Sequence, residues 1–299
     1  MKGAAGVCLP NYGNNSSREA IVEVAKAAEE LGYDSVWTTD HILLPSSHSY
    51  PYGKIYESLT TLSYVAALTD NVKLGTSILV LPMRNAVTVA KMLASLDSLS
   101  GGRVIAGVAV GWSEQEFKNL GVGHLFKKRG RLLNEQIKVM RLIWRGSRVS
   151  FKGHFHEIED GVSDPRPKQL NGPSVWIGGN SEYAVKRALE LGDAWHFTGI
   201  TLEELDERLR LISQRGGKLP VTGRFTVDLT GKAPRESRAA SGARRVVISG
   251  RDAQEVINQL TPYVDRGVSY LVCSFGDKPS QRQINDMKRF INDIIPSLF

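Results

Sequence analysis

The stretch Val72–Trp112, VKLGTSILVLPMRNAVTVAKMLASLDSLSGGRVIAGVAVGW, decides the fold. Val72 to Val80 is rich in β-branched residues and reads as a strand, yet it holds Gly75, Thr76 and Ser77 where a buried strand prefers bulk. Asn85 is placed to cap a helix whose apolar residues Val89, Met92, Leu93 and Leu96 recur at three- and four-residue spacing. Ser100-Gly101-Gly102 stops that helix, and Val104 to Val110 is a second apolar strand ending in Gly111-Trp112. Two apolar strands joined by an amphipathic helix make a right-handed βαβ unit, which belongs in a parallel sheet covered by helices.

Working outward, the unit repeats. Val7–Pro10 and Ser35–Thr38 read as strands on either side of a helix, with Ser16 and Glu19 spaced as its capping box and Gly32 as its stop. A long loop, Ile42 to Tyr56, separates the second strand from the helix around Leu59–Leu68. Ser113 and Glu116 are spaced as another capping box, and a long helix follows from about Gly130 to Trp144. From Arg145 to Pro173 the rhythm lapses, and Val149–Phe151 with His154–His156 suggests a small hairpin. The rhythm resumes with strands at Ser174–Ile177, Ala194–Phe197, Val221–Leu229 and Tyr270–Phe275, each followed by helical periodicity. Eight strands alternating with eight helices over one chain of this length predict a closed (β/α)8 TIM barrel, with an open doubly wound sheet as the alternative. We read residues 1–299 as one barrel domain, with residues 145–173 as an insertion between helix 4 and strand 5.

Composition narrows the function. Of 299 residues 41% are hydrophobic and 23% charged, ordinary proportions for a globular protein. The two cysteines, Cys8 and Cys273, stand far apart in apolar runs, which favours a reduced, cytoplasmic setting. No apolar run approaches a membrane span. The formal charge of +7 invites a nucleic-acid reading, but the basic residues are dispersed, which argues against one. Their densest group, Lys232, Arg235, Arg238, Arg244 and Arg245, reads as a solvated loop with a secondary part in attracting an anionic ligand.

In a barrel the chemistry sits at the C-terminal strand ends. Gly178-Gly179-Asn180-Ser181, between a strand and a helix, is either a phosphate cradle at a helix N-terminus or only a tight turn with a cap. Asp40-His41 at the end of strand two reads as an acid–base site, as a hydrogen-bonding pair for a cofactor ring, or as satisfied polar groups. Glu114 and Glu116 read as first-turn residues that complement the helix dipole. The smallness of Gly75-Thr76-Ser77 implies either a space against which a planar ring lies, or a local bulge. No metal-ligand spacing, Walker loop or nucleophile elbow is present.

The blocks SVWTTDHILLP, VKLGTSILVLPMRNAVTVAKMLASLDSLSGGRVIAGVAVGW with EQEFKNLGV, RGRLLNEQIKVMRLIW, and VWIGGNSEYAVKRALELGDAWH, in that order, resemble the bacterial luciferase-like monooxygenase superfamily. Within it the chain is most similar to the branch that uses the deazaflavin coenzyme F420. The resemblance implies an oxidoreductase that passes a hydride between the deazaflavin ring and a small organic substrate. FMN is the alternative cofactor, in a monooxygenase or in a non-catalytic flavin-binding protein. It implies that Asp40 contacts the ring and that His41 handles a proton. Thr76, Ser77 and Ile78 back the ring, with a non-proline cis peptide at Ser77–Ile78, while Gly178, Gly179, Asn180 and Ser181 hold phosphate. Gln115 falls near a ligand-contacting amide position, and Trp112 stands where the sugar-phosphate dehydrogenases of the branch carry an acid. A homodimer is the assembly the resemblance implies. The pocket walls are expected from the loops Ile42–Tyr56 and Thr230–Arg245 and from the Arg145–Pro173 segment.

Overall fold

The structure, a computed structural model, describes residues 4–299. Its barrel strands are β1 (Ala4–Cys8), β2 (Ser35–Thr38), β3 (Lys73–Thr76), β4 (Val104–Ala109), β5 (Ser174–Gly178), β6 (Ala194–Thr198), β7 (Val221–Asp228) and β8 (Val268–Ser274). Each pairs in parallel with the next, and β8 pairs with β1 to close the ring. Helices α1 (Arg18–Glu30), α2 (Ser58–Ala66), α3 (Ala86–Leu99), α4 (Arg129–Arg145), α5 (Glu182–Leu191), α6 (Leu202–Gln214), α7 (Ala253–Asp265) and α8 (Ser280–Arg289) follow the strands in turn. This is the (β/α)8 barrel expected from the alternation.

Local chemistry explains most helix starts. Asn85 caps α3, and Thr201 with Glu204 forms a complete capping box on α6. Ser17 caps α1 in place of the expected Ser16, whose hydroxyl is buried without a protein partner. Ser113 caps the short helix Glu114–Asn119, but the Glu116 side chain does not complete a box. It turns inward to His41 instead.

Alternation along the strands sorts their side chains into two cores. Outward residues such as Val36, Leu74, Val108, Ile177 and Phe225 pack under the helices. The inward set is a separate cluster of Cys8, Trp37, Ile105, Trp176, Ala194, Tyr270 and Val272. Trp37 lies 5.0 Å from Trp176 and stacks on His196 at 5.6 Å, ring centre to centre. Glycine makes room for it: a Cβ on Gly6 or on Gly75 would meet the Trp37 side chain at 2.3 Å. The space opposite Gly75 is therefore filled by the protein's own indole, and neither of the two expected causes, a ligand ring or a bulge, accounts for the glycine.

Other departures lie in the connections. The third strand is not continuous: β3 ends at Thr76, the Ser77–Ile78 peptide is cis, and Leu79–Val80 then pairs separately with β4. The expected hairpin forms between Val149–Lys152 and Glu157–Gly161, so His154–His156 is its turn. Glu135 of α4 accepts hydrogen bonds from the backbone N–H groups of all three turn residues. This hairpin rides on α4 and lines no part of the mouth cavity, contrary to the expected wall. The basic segment is solvated, with Lys232, Arg235, Arg238 and Arg244 exposed, but it is not a loop. Glu236–Arg238 and Arg244–Ser249 form a hairpin, and the second strand pairs in parallel with the end of β7. Val246 donates its N–H to Gly199 O at 2.7 Å, wedging this strand between the ends of β6 and β7.

The glycine–indole contact gives a direct test. Replacing Gly75 by alanine overpacks the interior, and we expect a loss of about 1–3 kcal/mol in urea denaturation, with the far-UV spectrum retained. An unchanged midpoint would mean that Trp37 does not occupy that space.

Candidate active site

The C-terminal ends of β1 to β8 frame one mouth. Asp40 and His41 follow β2 directly and are both buried. Asp40 accepts a bidentate pair from Arg84, at 2.8 and 2.7 Å, and a third hydrogen bond from Val80 N–H at 2.8 Å. Burial outweighs Arg84 and the Val80 N–H, so the Asp40 carboxyl lies above its ordinary value. Arg84 stays charged, and three N–H donors on the two oxygens favour the carboxylate form. With both oxygens engaged, Asp40 holds the loop after β3 against the end of β2. It does not present a free carboxylate to the mouth.

His41 is differently placed. Its Nδ1 lies 2.9 Å from Glu116 Oε2, while Glu116 Oε1 accepts the Ile42 N–H at 2.7 Å and the Leu43 N–H at 3.3 Å. A carboxylate on Nδ1 keeps the proton there, and among the described residues Nε2 has no hydrogen-bond partner. The ring sits against Tyr52 and Trp112, 4.6 and 5.7 Å away. Burial raises the Glu116 carboxyl, but the His41 hydrogen bond and the two backbone N–H groups outweigh it and hold the group below its ordinary range.

The remaining expected residues divide. Thr76 gives its hydroxyl to Gly107 O at 2.7 Å, inside the sheet. Ser77 Oγ lies 2.9 Å from His196 Nε2, and His196 Nδ1 lies 2.8 Å from Thr222 Oγ1. Burial first, then the nearby Arg224, lowers the His196 pKa to about 3, so this ring is a neutral link between two hydroxyls. Ile78, half-buried, packs over Gly178, where a Cβ would meet its Cδ1 at 2.5 Å. Gly179 takes φ +129°, and Ser181 caps α5. Asn180 is committed to the backbone: its amide brackets Thr198 through O at 2.8 Å and N–H at 2.9 Å. The turn thus presents the unpaired first-turn N–H groups of a helix, a cradle for an anion. Gln115 stays outside. It is exposed and bonds Asn119 at 2.9 Å, on the far face of the short helix from Glu116.

Three participants were not expected. Glu116 and Arg84 act as partners of His41 and Asp40. Arg224 points inward from β7 beside Thr222 and Thr226, donating from Nη1 to Ser77 O and lying 3.5 Å from Tyr12 Oη through Nη2. Polar residues alternating along Thr222-Gly223-Arg224-Phe225-Thr226 were the available signal, because one face of that strand had to look into the barrel. Among the described residues no group of three or more His, Cys, Asp or Glu can hold a metal, and no helix is long and apolar enough to cross a membrane.

A family model described as luciferase-like monooxygenase matches residues 6–292. The chain belongs to the luciferase-like monooxygenase family. This member is 29% identical, over 93% of its own length and 94% of the relative's, to the F420-dependent glucose-6-phosphate dehydrogenase of Amycolatopsis mediterranei (strain U-32). It is 30% identical to the FMNH(2)-dependent dimethylsulfone monooxygenase of Pseudomonas putida, over 59% of this chain and 47% of that protein. Among solved structures, an F420-dependent secondary alcohol dehydrogenase in complex with an F420-acetone adduct covers all of both chains, with a TM-score of 0.79 and 19% identity. That match shows the shared fold of the luciferase-like family.

The Glu116 contacts carry a pH prediction. Because its folded pKa is depressed, the stability it adds is full above the ordinary value of 4.5 and is lost as pH falls through the folded value. Glu116→Gln should cost about 1–3 kcal/mol at neutral pH. Denaturation curves should show the gap to wild type closing below pH 4.5. A gap independent of pH would remove the carboxylate from that role.

Proposed function

We propose that this protein is a coenzyme F420-dependent oxidoreductase that exchanges a hydride between the deazaflavin ring and a small organic substrate at the barrel mouth. The observation that carries the reading is the juxtaposition of a glycine turn opening α5 with a histidine whose Nε2 is free beside an aromatic wall. The full-length similarity to an F420-dependent dehydrogenase supports the choice of cofactor. The residues present fit such a group. Gly179, at φ +129°, lets the backbone of the turn come close to a phosphate, the α5 N–H groups adjoin it, and Gly178 admits Ile78, which after the cis peptide gives an apolar backing.

Coenzyme F420, when bound, supplies two-electron hydride chemistry at a ring carbon. The chain's own residues do the rest. Ser181 and the first turn of α5 hold the phosphate, and Ser77 is fixed from behind by His196. Asp40 and Arg84 lock the loop that carries Ile78. His41, its Nδ1 held by Glu116, accepts or returns a substrate proton at Nε2. FMN is the second reading, favoured by the similarity to an FMNH(2)-dependent monooxygenase over part of the chain.

Two variants test this. Aspartate also caps helices, so Ser181→Asp keeps the α5 start while adding a negative charge at the turn. We expect coenzyme F420 affinity, read by fluorescence titration, to fall about tenfold or more with the melting temperature unchanged. Equal binding would place the phosphate elsewhere, and FMN binding without affinity for F420 would favour the second reading. His41→Ala should lower the rate of deazaflavin reduction about 100-fold or more while leaving coenzyme affinity within a few fold. If both fall together, His41 serves binding alone.

A further inference from the structure

We propose that the mouth holds a subsite for a compact oxyanion, a phosphate or carboxylate group carried by the substrate, built from Arg224, Arg245 and Arg238. The proposal deepens the reading above, on which the word substrate rests. A cavity of about 300 Å³ opens between the ends of β6 and β7 and the basic hairpin. Tyr12, Tyr52 and Trp112 line it together with the three arginines. His41 packs against Tyr52 and Trp112, so two of the cavity's aromatic residues also touch the imidazole.

The argument is one of unmet charge. Among the described residues no carboxylate lies within 4.0 Å of these three guanidinium groups, whereas Arg244, their neighbour on the hairpin, pairs with Glu236. Arg238 donates to Gly242 O at 3.3 Å and Arg245 to Arg244 O at 3.1 Å, both backbone acceptors. Glu204 acts on Arg245 only at longer range, and its carboxylate accepts the Thr201 N–H in the α6 cap. Arg224 is the decisive member. It projects into the barrel from β7, and among the described residues its side chain hydrogen-bonds only Ser77 O and the Tyr12 hydroxyl. A guanidinium has five N–H donors in a planar fork, so several remain for a ligand. Holding a cation this deep without a counter-charge is costly unless an anion completes it. The hydroxyls of Thr226 and Ser237 line the same cavity and add neutral donors.

Two sources of oxyanion are chemically alike here, the substrate and the acidic tail of the coenzyme. Calorimetric titration with inorganic phosphate, at fixed ionic strength, separates them. We expect phosphate to bind the protein with and without saturating coenzyme F420, and the double variant Arg238→Gln/Arg245→Gln to weaken phosphate about tenfold or more while coenzyme affinity is kept. Arg224→Gln, checked for folding by its melting curve, should weaken phosphate further. Displacement by the coenzyme of the phosphate that the double variant weakens, as distinct from phosphate held at the α5 turn, would assign the arginines to the coenzyme's tail and overturn the proposal. Phosphate binding unaffected by the double variant would make it an adventitious ion only. The titration of bare protein needs no coenzyme, so loss of phosphate in the variants supports the anion site even if the F420 reading fails.

Discussion

The bidentate contact between Asp40 and Arg84 is the constraint on which the mouth depends. It joins two segments 44 residues apart, the end of β2 and the loop that re-enters the sheet at Leu79–Val80. A buried ion pair adds little net stability relative to an apolar pair, but removing one partner leaves a charge uncompensated, at a cost of about 3–5 kcal/mol. The pair therefore acts as a positional lock. His41 follows Asp40 in the chain, so the anchored carboxylate sets where the imidazole begins. Glu116, from the helix after β4, sets where it points. Two carboxylates thus act on adjacent residues: one fixes backbone, the other fixes a ring.

The barrel interior explains why a mouth exists at all. Many barrels fill this space with layers of branched aliphatic residues. Here Trp37, Trp176, Tyr270 and His196 fill the middle layer, and glycines at 6 and 75 admit the largest of them. Towards the C-terminal strand ends the inward positions turn small or polar: Gly178, Arg224 and Ser274. The aromatic layer forms a rigid floor, and the small layer leaves the volume above it. His196 belongs to the floor. With its pKa near 3 it carries no proton in exchange with substrate at neutral pH, whereas His41 keeps an open nitrogen.

What could be read from sequence was what local chemistry determines. Strand number, the helix periods and the caps at Asn85, Ser113 and Thr201 follow from residues within one turn of each other. The family blocks carried the cis peptide at Ser77–Ile78, which no periodicity would have suggested. Contacts across the chain were not legible. Glu116 meets His41 over 75 residues and Arg224 meets Ser77 over 147, and no local pattern encodes either distance. Gln115 and Glu116 show how fine the distinction is. One residue along a helix is a rotation of about 100°, enough to send one side chain to solvent and the other into the site. Gly75 shows the opposite error: a missing side chain leaves space, but the sequence does not say which distant group fills it.

The charge of the chain is informative only once it is located. A net +7 on a surface of mixed ion pairs says little about any ligand. Arg148, Arg208, Arg244 and Arg266 each have a carboxylate beside them and are electrostatically complete. Arg224 and Arg245 are not, and both look onto the mouth. Next to the cavity they line, and tied to its Thr198 through Asn180, the first turn of α5 offers backbone N–H groups, a second region of positive potential, with Arg208 on Asn180 O. On the proposed reading, coenzyme and substrate would each be held by a negative group, one at the α5 turn and one at the arginines, with their uncharged reacting ends meeting over the aromatic floor. The geometry would then orient both reactants by their charges, remote from the bond that changes, which is how binding energy is turned into alignment.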